Sequence, residues 1–419
     1  MMASTQERFS KLAARELPAW LLFALPATAL ISSFGLGLVQ LCMLLSLCSP
    51  VMRHWYARHF RTITFVTAGF VAYFLVSAAR LLIFDQSLRT LDGPSRLLFG
   101  LSCIGFVACW RPSLRYFYWG LCVGATGAGV LALIQRFVFN MDRVPGFTHH
   151  PISFGDLSLA LGLLAMCTVT QFRGTRFAAM PWLGLLAGML ASVLSGSRGG
   201  WLALPLVLWP LLRYGRTLYG KLLWQVLLLC LGLALLAYFV PATGVAGRVA
   251  EAVSDVRGYL DHQDATTSVG IRLELWKASW LMFASHPWLG VGRDQFDVAL
   301  HLLASQGQLQ NSPALTYSSS HNDALHFLAT GGLLDFACLL LMYGGPLAFF
   351  MRVLRTSKTA QPVPDAVQTP ALMGLVLVMC FIAFGLTDVM FWLMVPKVFY
   401  VMMISVLIGF CLAAKELHD

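Results

Sequence analysis

Long apolar runs are the feature that most constrains how this chain folds. Runs of about 20 residues with almost no charge alternate with short charged loops, and a helix of that length matches the hydrocarbon thickness of a bilayer. Inside lipid, a spanning segment has to satisfy its own backbone hydrogen bonds, so such runs form helices. The sequence therefore predicts an all-α polytopic membrane protein rather than a set of soluble domains.

The predicted spans fall into three blocks, and the composition supports them. Of the 419 residues, 58% are hydrophobic and 11% are charged, whereas soluble domains carry about 25% charged residues. Residues 1–240 hold roughly nine predicted transmembrane helices and residues 321–419 roughly three more, about twelve in all. Residues 241–320 form a long hydrophilic loop with predicted short helices, and loops of that length are usually functional.

Charge orients these blocks in the membrane. The chain has 29 Lys+Arg against 19 Asp+Glu, a formal net charge of +10, which in a soluble protein would suggest a nucleic-acid partner. Here most basic residues lie in segments on the side of the N-terminus, so the positive-inside rule places both termini in the cytoplasm. The 241–320 loop is then outside, and we expect the phospholipid bilayer, not nucleic acid, to be the partner.

Arginines on the outer side are unexpected, because positive charge is selected against there. Arg198 lies in the tight turn Ser197-Arg198-Gly199-Gly200, whose backbone N–H groups and guanidinium are suited to holding phosphate. Arg143 and Arg293 are further outer-side arginines. The alternative is that Arg198 only reaches toward lipid headgroups.

Arg272 begins a predicted amphipathic helix that contains Trp276 and Trp280, one turn apart. Tryptophans of this kind lie at the membrane surface. Arg272 and Trp276 share a helix face, so the cation is expected to meet the headgroup of a lipid substrate there. The alternative is a solvated Arg272 paired with Glu274 or Asp264.

His321 lies where the long loop re-enters the membrane, after a polar run that ends at Ser320. A neutral imidazole at that mouth can take a proton from a hydroxyl group, and nearby arginines would favour its neutral form. The alternative interpretation is that His321 caps the helix that follows it.

Metal chemistry has little support in the sequence. His149 and His150 are adjacent, but no cysteine or carboxylate accompanies them at metal-ligand spacing. The Asp-x-Asp pattern that many sugar-nucleotide transferases use to hold a metal is absent from the chain. We therefore predict metal-independent chemistry with no cofactor.

Two charges are predicted to lie deep within spans, Asp335 in the tenth and Lys397 in the twelfth. Unpaired charges are costly in lipid, so the hypothesis is that they pair with each other. The alternative is a proton or ion relay.

Several motifs together identify a family resemblance. They are Ser197-Arg198-Gly199-Gly200, Arg272, Pro287-Trp288-Leu289-Gly290-Val291-Gly292, His321-Asn322 and Gly332. In this arrangement the chain resembles the O-antigen ligase and polymerase superfamily. The ligase pattern is His-Asn/Ser/Gln, nine residues, Gly, two residues, then Gly, Thr or Tyr. His321-Asn322 and Gly332 follow it, whereas Asp335 occupies the last position.

The resemblance implies a C-type glycosyltransferase fold and an O-antigen ligase activity. Such an enzyme transfers a glycan from undecaprenyl diphosphate to a lipid A-core sugar, with no metal, at the periplasmic face of the bacterial inner membrane. It implies catalytic roles for His321 and Asp388, and Asp388 either orients His321 or binds sugar. His321 would be the general base, while Arg198 and Arg272, with Arg143, would bind the diphosphate.

Three other functions remain open from the sequence. The nearest is an O-antigen polymerase, which uses the same donor, and the next is a protein O-oligosaccharyltransferase. A transporter or flippase would also have about twelve spans, but transporters tend to show repeated halves and midplane polar sites, and neither feature is visible here.

Overall fold

The structure is a computed structural model. It describes residues 16–83, 87–215, 245–262, 265–359 and 365–416, and, between 219 and 240, residues 219–221, 224–225, 228, 231–232, 235 and 238–240. Within these ranges the chain is helical and contains no strand. The predicted all-α class is therefore confirmed for the described part of the chain.

Fifteen helices serve as reference points below. They are α1 (16–28), α2 (Gly35–Leu45), α3 (Pro50–Ile83), α4 (Asp92–Gly100), α5 (Ser102–Trp110), α6 (Leu114–Leu133), α7 (Pro151–Met166), α8 (Met180–Leu194), α9 (Ala203–Pro210), α10 (Val245–His262), α11 (Ser268–Ser285), α12 (Phe296–Ser305), α13 (Asp323–Thr359), α14 (Asp365–Gly385) and α15 (Met394–Lys415). A short helix at Val169–Phe172 follows α7, and π-helical turns at Ile134–Val138 and Leu211–Gly215 extend α6 and α9.

Among the described residues, 6 helical stretches are long and apolar enough to cross a membrane. They are Pro50–Ile83, Leu88–Trp110, Leu114–Val138, Asp323–Thr356, Ala366–Gly385 and Met394–Ala414. Shorter apolar helices, α7 and α8 among them, pack with these. The chain is thus a multi-pass membrane protein, and the count of about twelve spans stays a prediction.

The centre of the bundle is formed by helices that are apolar all round. Within their apolar windows, 83% of the residues of α14 and 94% of those of α15 are buried inside the protein. Every residue of α7 from Ser153 to Met166 is buried as well. A helix without a polar face belongs in the core, so these three helices form the support on which the polar loops at their ends are held.

A second, smaller core lies in the segment before α13. It joins α11, α12 and the loop that follows α12. Its buried residues are Leu275, Ala278, Met282, Phe296, Leu300, Leu309, Ala314 and Ala329. Of these, Ala329 belongs to α13, so the residues between 268 and 316 pack largely on one another. We call this group the outer unit.

Helix α13 is broken at Gly332, where φ is +64° and ψ is −160°. The residues 287–292 fill the break: the N–H groups of Val291 and Gly292 donate to the carbonyls of Ala329 and Thr330 at 2.9 and 3.0 Å. A methyl group added at Gly332 would overlap the backbone of Trp288. Glycine is therefore required both by the positive φ and by this close approach.

The predicted pairing of Asp335 with Lys397 is wrong. Asp335 instead forms ion pairs with Arg80 at 3.0 Å and with Arg293 at 2.9 Å. The ammonium group of Lys397 lies next to Gly93 of α4. Sequence alone gives no information on which helices are neighbours, and α3, which supplies Arg80, is distant from α13 along the chain.

Candidate active site

His321 lies directly before α13 and contacts a buried carboxylate. Its Nδ1 lies 3.1 Å from Oδ1 of Asp388, in the loop between α14 and α15. The side chain of Asp388 is 1% exposed and that of His321 is 13% exposed. His321 has φ +49°, the left-handed region, which costs a non-glycine residue about 1–2 kcal/mol. The surrounding contacts therefore hold this imidazole in a specific position.

Asn322 supplies those contacts. Its Oδ1 accepts a hydrogen bond from the Leu325 N–H at 3.0 Å, which caps the N-terminus of α13. Its Nδ2 donates to the carbonyl of Leu386 at 3.1 Å. The capping role considered for His321 thus belongs to Asn322, which also ties the start of α13 to the loop that carries Asp388.

A second histidine approaches the same carboxylate. Nδ1 of His150 lies 3.7 Å from Oδ2 of Asp388, and it accepts a hydrogen bond from the Ser153 N–H at the start of α7. Burial lowers the pKa of His150, which favours the neutral imidazole. With Nδ1 accepting, the proton of this neutral ring is assigned to Nε2.

The turn that contains Arg198 packs against this site. Oγ of Ser197 donates to Oδ1 of the fully buried Asp156 on α7 at 2.7 Å. Methyl groups added at the next two glycines would overlap neighbours: at Gly199 the side chain of Thr387, and at Gly200 the carboxyl of Asp156. The glycine pair thus allows the turn to lie against the residue next to Asp388, with Arg198 exposed at its edge.

Arg143 joins the same turn from the loop before α7. Its Nε donates to the carbonyl of Ser195 at 3.3 Å, and its charge acts on the imidazole of His150. The structure therefore brings Arg143 close to both the Arg198 turn and the pair formed by His150 and Asp388.

Arg272 reaches the site from the outer unit. One turn after it on α11, Nε1 of Trp276 donates to the carbonyl of Ser320 at 3.1 Å, next to His321. The charge of Arg272 acts on the carboxyl of Asp156. Trp280 is 57% exposed, as expected for a residue at the edge of the protein.

Of the two partners suggested for a solvated Arg272, Glu274 is engaged by other groups, and pairing with Asp264 stays a prediction. Glu274 is buried and accepts hydrogen bonds from the hydroxyl of Tyr259 at 2.7 Å and from the Gln310 N–H at 2.9 Å. Asp264 lies outside the described residues. Glu274 therefore holds α10, α11 and the loop after α12 together.

The site thus combines a proton acceptor with cationic groups. His321 and Asp388 form a hydrogen-bonded pair, and three segments approach it: the loop that carries Arg143, the turn that carries Arg198 and helix α11, which carries Arg272. Sequence reasoning missed the role of Asp156, although a carboxylate inside an apolar run is itself a signal of function. Within the described ranges, no group of three or more His, Cys, Asp or Glu residues is arranged to hold a metal ion.

Comparison with known proteins points to one family. Residues 182–340 match a family described as O-Antigen ligase. An uncharacterised protein of Haemophilus influenzae (strain ATCC 51907 / DSM 11121 / KW20 / Rd) is 26% identical over 295 residues, which cover 69% of this chain and 73% of that protein. The matched family segment contains Arg198, Arg272 and His321, whereas Asp388 lies beyond it. The central part of the chain, which includes three of the candidate site residues, is therefore similar to the O-antigen ligase family.

Proposed function

We propose that the protein is an O-antigen ligase. It moves O-antigen glycan from undecaprenyl diphosphate to a sugar hydroxyl of lipid A-core, at the periplasmic face of the bacterial inner membrane. The observation that carries this proposal is the hydrogen bond of 3.1 Å between His321 and the buried Asp388, next to the turns of Arg143 and Arg198. Such an arrangement suits deprotonation of a hydroxyl beside an anionic leaving group.

His321 acts as the general base. Asp388 accepts a hydrogen bond from the Nδ1–H of His321, which leaves Nε2 with a lone pair for the acceptor hydroxyl. The acceptor oxygen attacks the anomeric carbon of the glycan while its proton moves to Nε2. Asp388 orients the ring and stabilises the imidazolium that forms, as the carboxylate of a catalytic triad does.

The arginines act on the leaving group. As the bond between the anomeric carbon and the phosphate oxygen breaks, the electron pair passes to the undecaprenyl diphosphate. Arg198 and Arg272, with Arg143, stabilise that developing charge by charge-assisted hydrogen bonds. With three guanidiniums in this role the reaction requires no metal, and a single in-line displacement inverts the anomeric carbon.

Both substrates are lipids, so the site has to be reached from the bilayer. Helix α11 is a suitable wall for such an entrance, because Trp280 is 57% exposed and Trp288, just after the helix, is 68% exposed. Exposed tryptophans are favoured at the membrane surface.

The test is transfer by purified protein in detergent containing EDTA. Carrier-linked glycan and lipid A-core are supplied to the wild type, to His321→Asn and to His301→Ala. Asparagine tolerates a positive φ, so the first variant removes the imidazole and keeps the backbone. His301 is an exposed histidine of the outer unit and is the matched control.

We expect product from the wild type and from His301→Ala, and none from His321→Asn. Substantial product from His321→Asn would remove His321 from the role of base. Elongation of the glycan on its carrier, with nothing transferred to lipid A-core, would identify a polymerase instead.

A further inference from the structure

Three buried charged side chains meet beside the break in α13. Nε and Nη2 of Arg293 both donate to Oδ2 of Asp335, at 3.0 and 2.9 Å. Arg80 of α3 donates from Nη1 to the same oxygen at 3.0 Å and from Nη2 to the carbonyl of Gly331 at 2.6 Å. The exposed fractions of the side chains are 11% for Arg293, 7% for Arg80 and 2% for Asp335.

Arg293 is held on its other sides by α3. Its Nη1 donates to Oγ of Ser77, and its guanidinium lies over the ring of Tyr73 at 4.1 Å from the centroid. A cation in this setting combines a charged hydrogen bond with a cation–π contact. We call Arg80, Arg293 and Asp335 the polar clamp.

The polar clamp joins three separate parts of the chain. Arg80 belongs to α3 and Asp335 to α13, while Arg293 lies between α11 and α12 in the outer unit. Loss of one partner from a buried ion cluster leaves an uncompensated charge, which is strongly destabilising. The cluster therefore ties the segment of Arg293 to both α3 and α13, and loss of any of its members weakens that tie.

Attachment of the outer unit depends on this region. Among the buried residues of its core, Ala329 is the one contributed by α13. Next to the clamp, the Leu333 N–H donates to the carbonyl of Pro287 at 2.8 Å, and the Val291 and Gly292 N–H groups donate to the carbonyls of Ala329 and Thr330. We call this row of backbone hydrogen bonds between the two segments the seam. The clamp adds to this row of backbone hydrogen bonds, because Arg80 donates to the carbonyl of Gly331 within the same stretch of α13.

We propose that Arg80, Arg293 and Asp335 are positioning residues that hold Arg272 of α11, the phosphate-binding arginine, at a fixed position relative to His321, the general base that precedes α13. Arg272 is on the helix that leads into residues 287–292, and His321 directly precedes the helix that these residues enter. This inference rests on the proposed function. It also accounts for Asp335 at a motif position where Gly, Thr or Tyr is usual, because here the acidic residue comes with two arginine partners.

The seam is tested first, by hydrogen exchange measured by mass spectrometry on the full-length protein in detergent. Asp335→Asn keeps the size of the side chain and removes its charge, and Asp294→Asn, at an exposed neighbour of Arg293, is the control. Peptides covering 287–293 and 329–334 should exchange at least about ten times faster in Asp335→Asn only. Unchanged exchange there would overturn the clamp, whatever reaction the protein catalyses.

Kinetics then separate positioning from general stability. We expect Asp335→Asn to lower kcat by about 10–100-fold, since misplacement by about 1 Å can cost that much. Asp335→Glu, which keeps the charge, should recover part of the loss. In an Arg272→Lys background the additional loss should fall below about 3-fold, because the clamp acts through Arg272.

An equal loss from Asp335→Asn in both backgrounds would overturn the positioning role, even if the exchange experiment supports the seam. Rates are measured on ligation or on carrier-linked elongation, whichever the wild type performs. Failure of the proposed ligase activity is thus visible in the wild type alone, and failure of the inference is visible in the variants.

Discussion

The carboxylate of Asp388 is the most informative group to alter, because only its charge and its acceptor capacity need to change. Asp388→Asn keeps the shape of a fully buried side chain whose Oδ1 faces both the His321 ring and the Val389 N–H, the latter at 2.9 Å. The amide oxygen can still accept from Val389. Because the same oxygen position faces His321, that oxygen also still accepts from Nδ1–H, while the NH₂ group takes the Oδ2 position toward His150. What is lost is the negative charge beside the His321 ring.

The size of the effect follows from this geometry. The imidazolium that forms when His321 takes the proton loses the carboxylate charge that stabilises it, and the same exchange in a serine-protease triad costs about 10⁴-fold in kcat. We expect Asp388→Asn to lower kcat by about 10²–10⁴-fold, equivalent to roughly 3–5 kcal/mol of transition-state stabilisation. The melting temperature of Asp388→Asn should differ little from that of the wild type, since an amide is less costly to bury than a carboxylate.

The assay is single-turnover transfer by the purified protein, with Asp142→Asn as the control because the Asp142 side chain is fully exposed. If Asp388 acts only through His321, the double variant with His321→Asn should be no slower than His321→Asn alone. The reasoning is refuted if Asp388→Asn stays within about 3-fold of wild type, or if the two losses multiply.

Three further outcomes are expected. Burial lowers the pKa of His150 below its ordinary value of 6.5. The unfolded state therefore binds more protons, and the free energy of unfolding falls as the pH drops below about 6.5. Between pH 8 and pH 5 the melting temperature of His150→Gln should decline less than that of the wild type. Gly199→Ala should lower transfer at least about 10-fold, because the methyl group meets Thr387, while Gly344→Ala, in open space, should not. Trp276→Phe loses one hydrogen bond and should cost about 1 kcal/mol in a melting experiment.

The sequence was a better guide to which segments are helical than to which helices and loops contact one another. Apolar runs were sufficient to predict a helical membrane protein, and outer-side arginines together with a histidine at the mouth of a span led to Arg198, Arg272 and His321. The partners of Asp335 could not be predicted from the sequence, because hydrophobic periodicity describes one helix at a time. Arg80, for example, comes from a helix far away in the chain. The approach of His150 to Asp388 depends likewise on the meeting of two distant loops.

Several assignments stay predictions for physical reasons. Helices such as α7, Pro151–Met166, are shorter than a bilayer is thick, so length alone does not decide whether they cross it. The boundary at 240 borders residues outside the described ranges, so it stays a prediction. Only part of the predicted ninth span is described.

The break at Gly332 limits how this protein can be recombined with its relatives. Residues 287–292 provide hydrogen-bond partners for an interrupted helix whose stretch Asp323–Thr356 is long and apolar enough to cross a membrane, and lipid offers no such partners. A foreign outer segment grafted between α10 and α13 would leave those helix groups unmatched and would leave Asp335 and Arg80 without Arg293. A working chimera therefore has to exchange residues 329–335 and the outer end of α3 together with the loop.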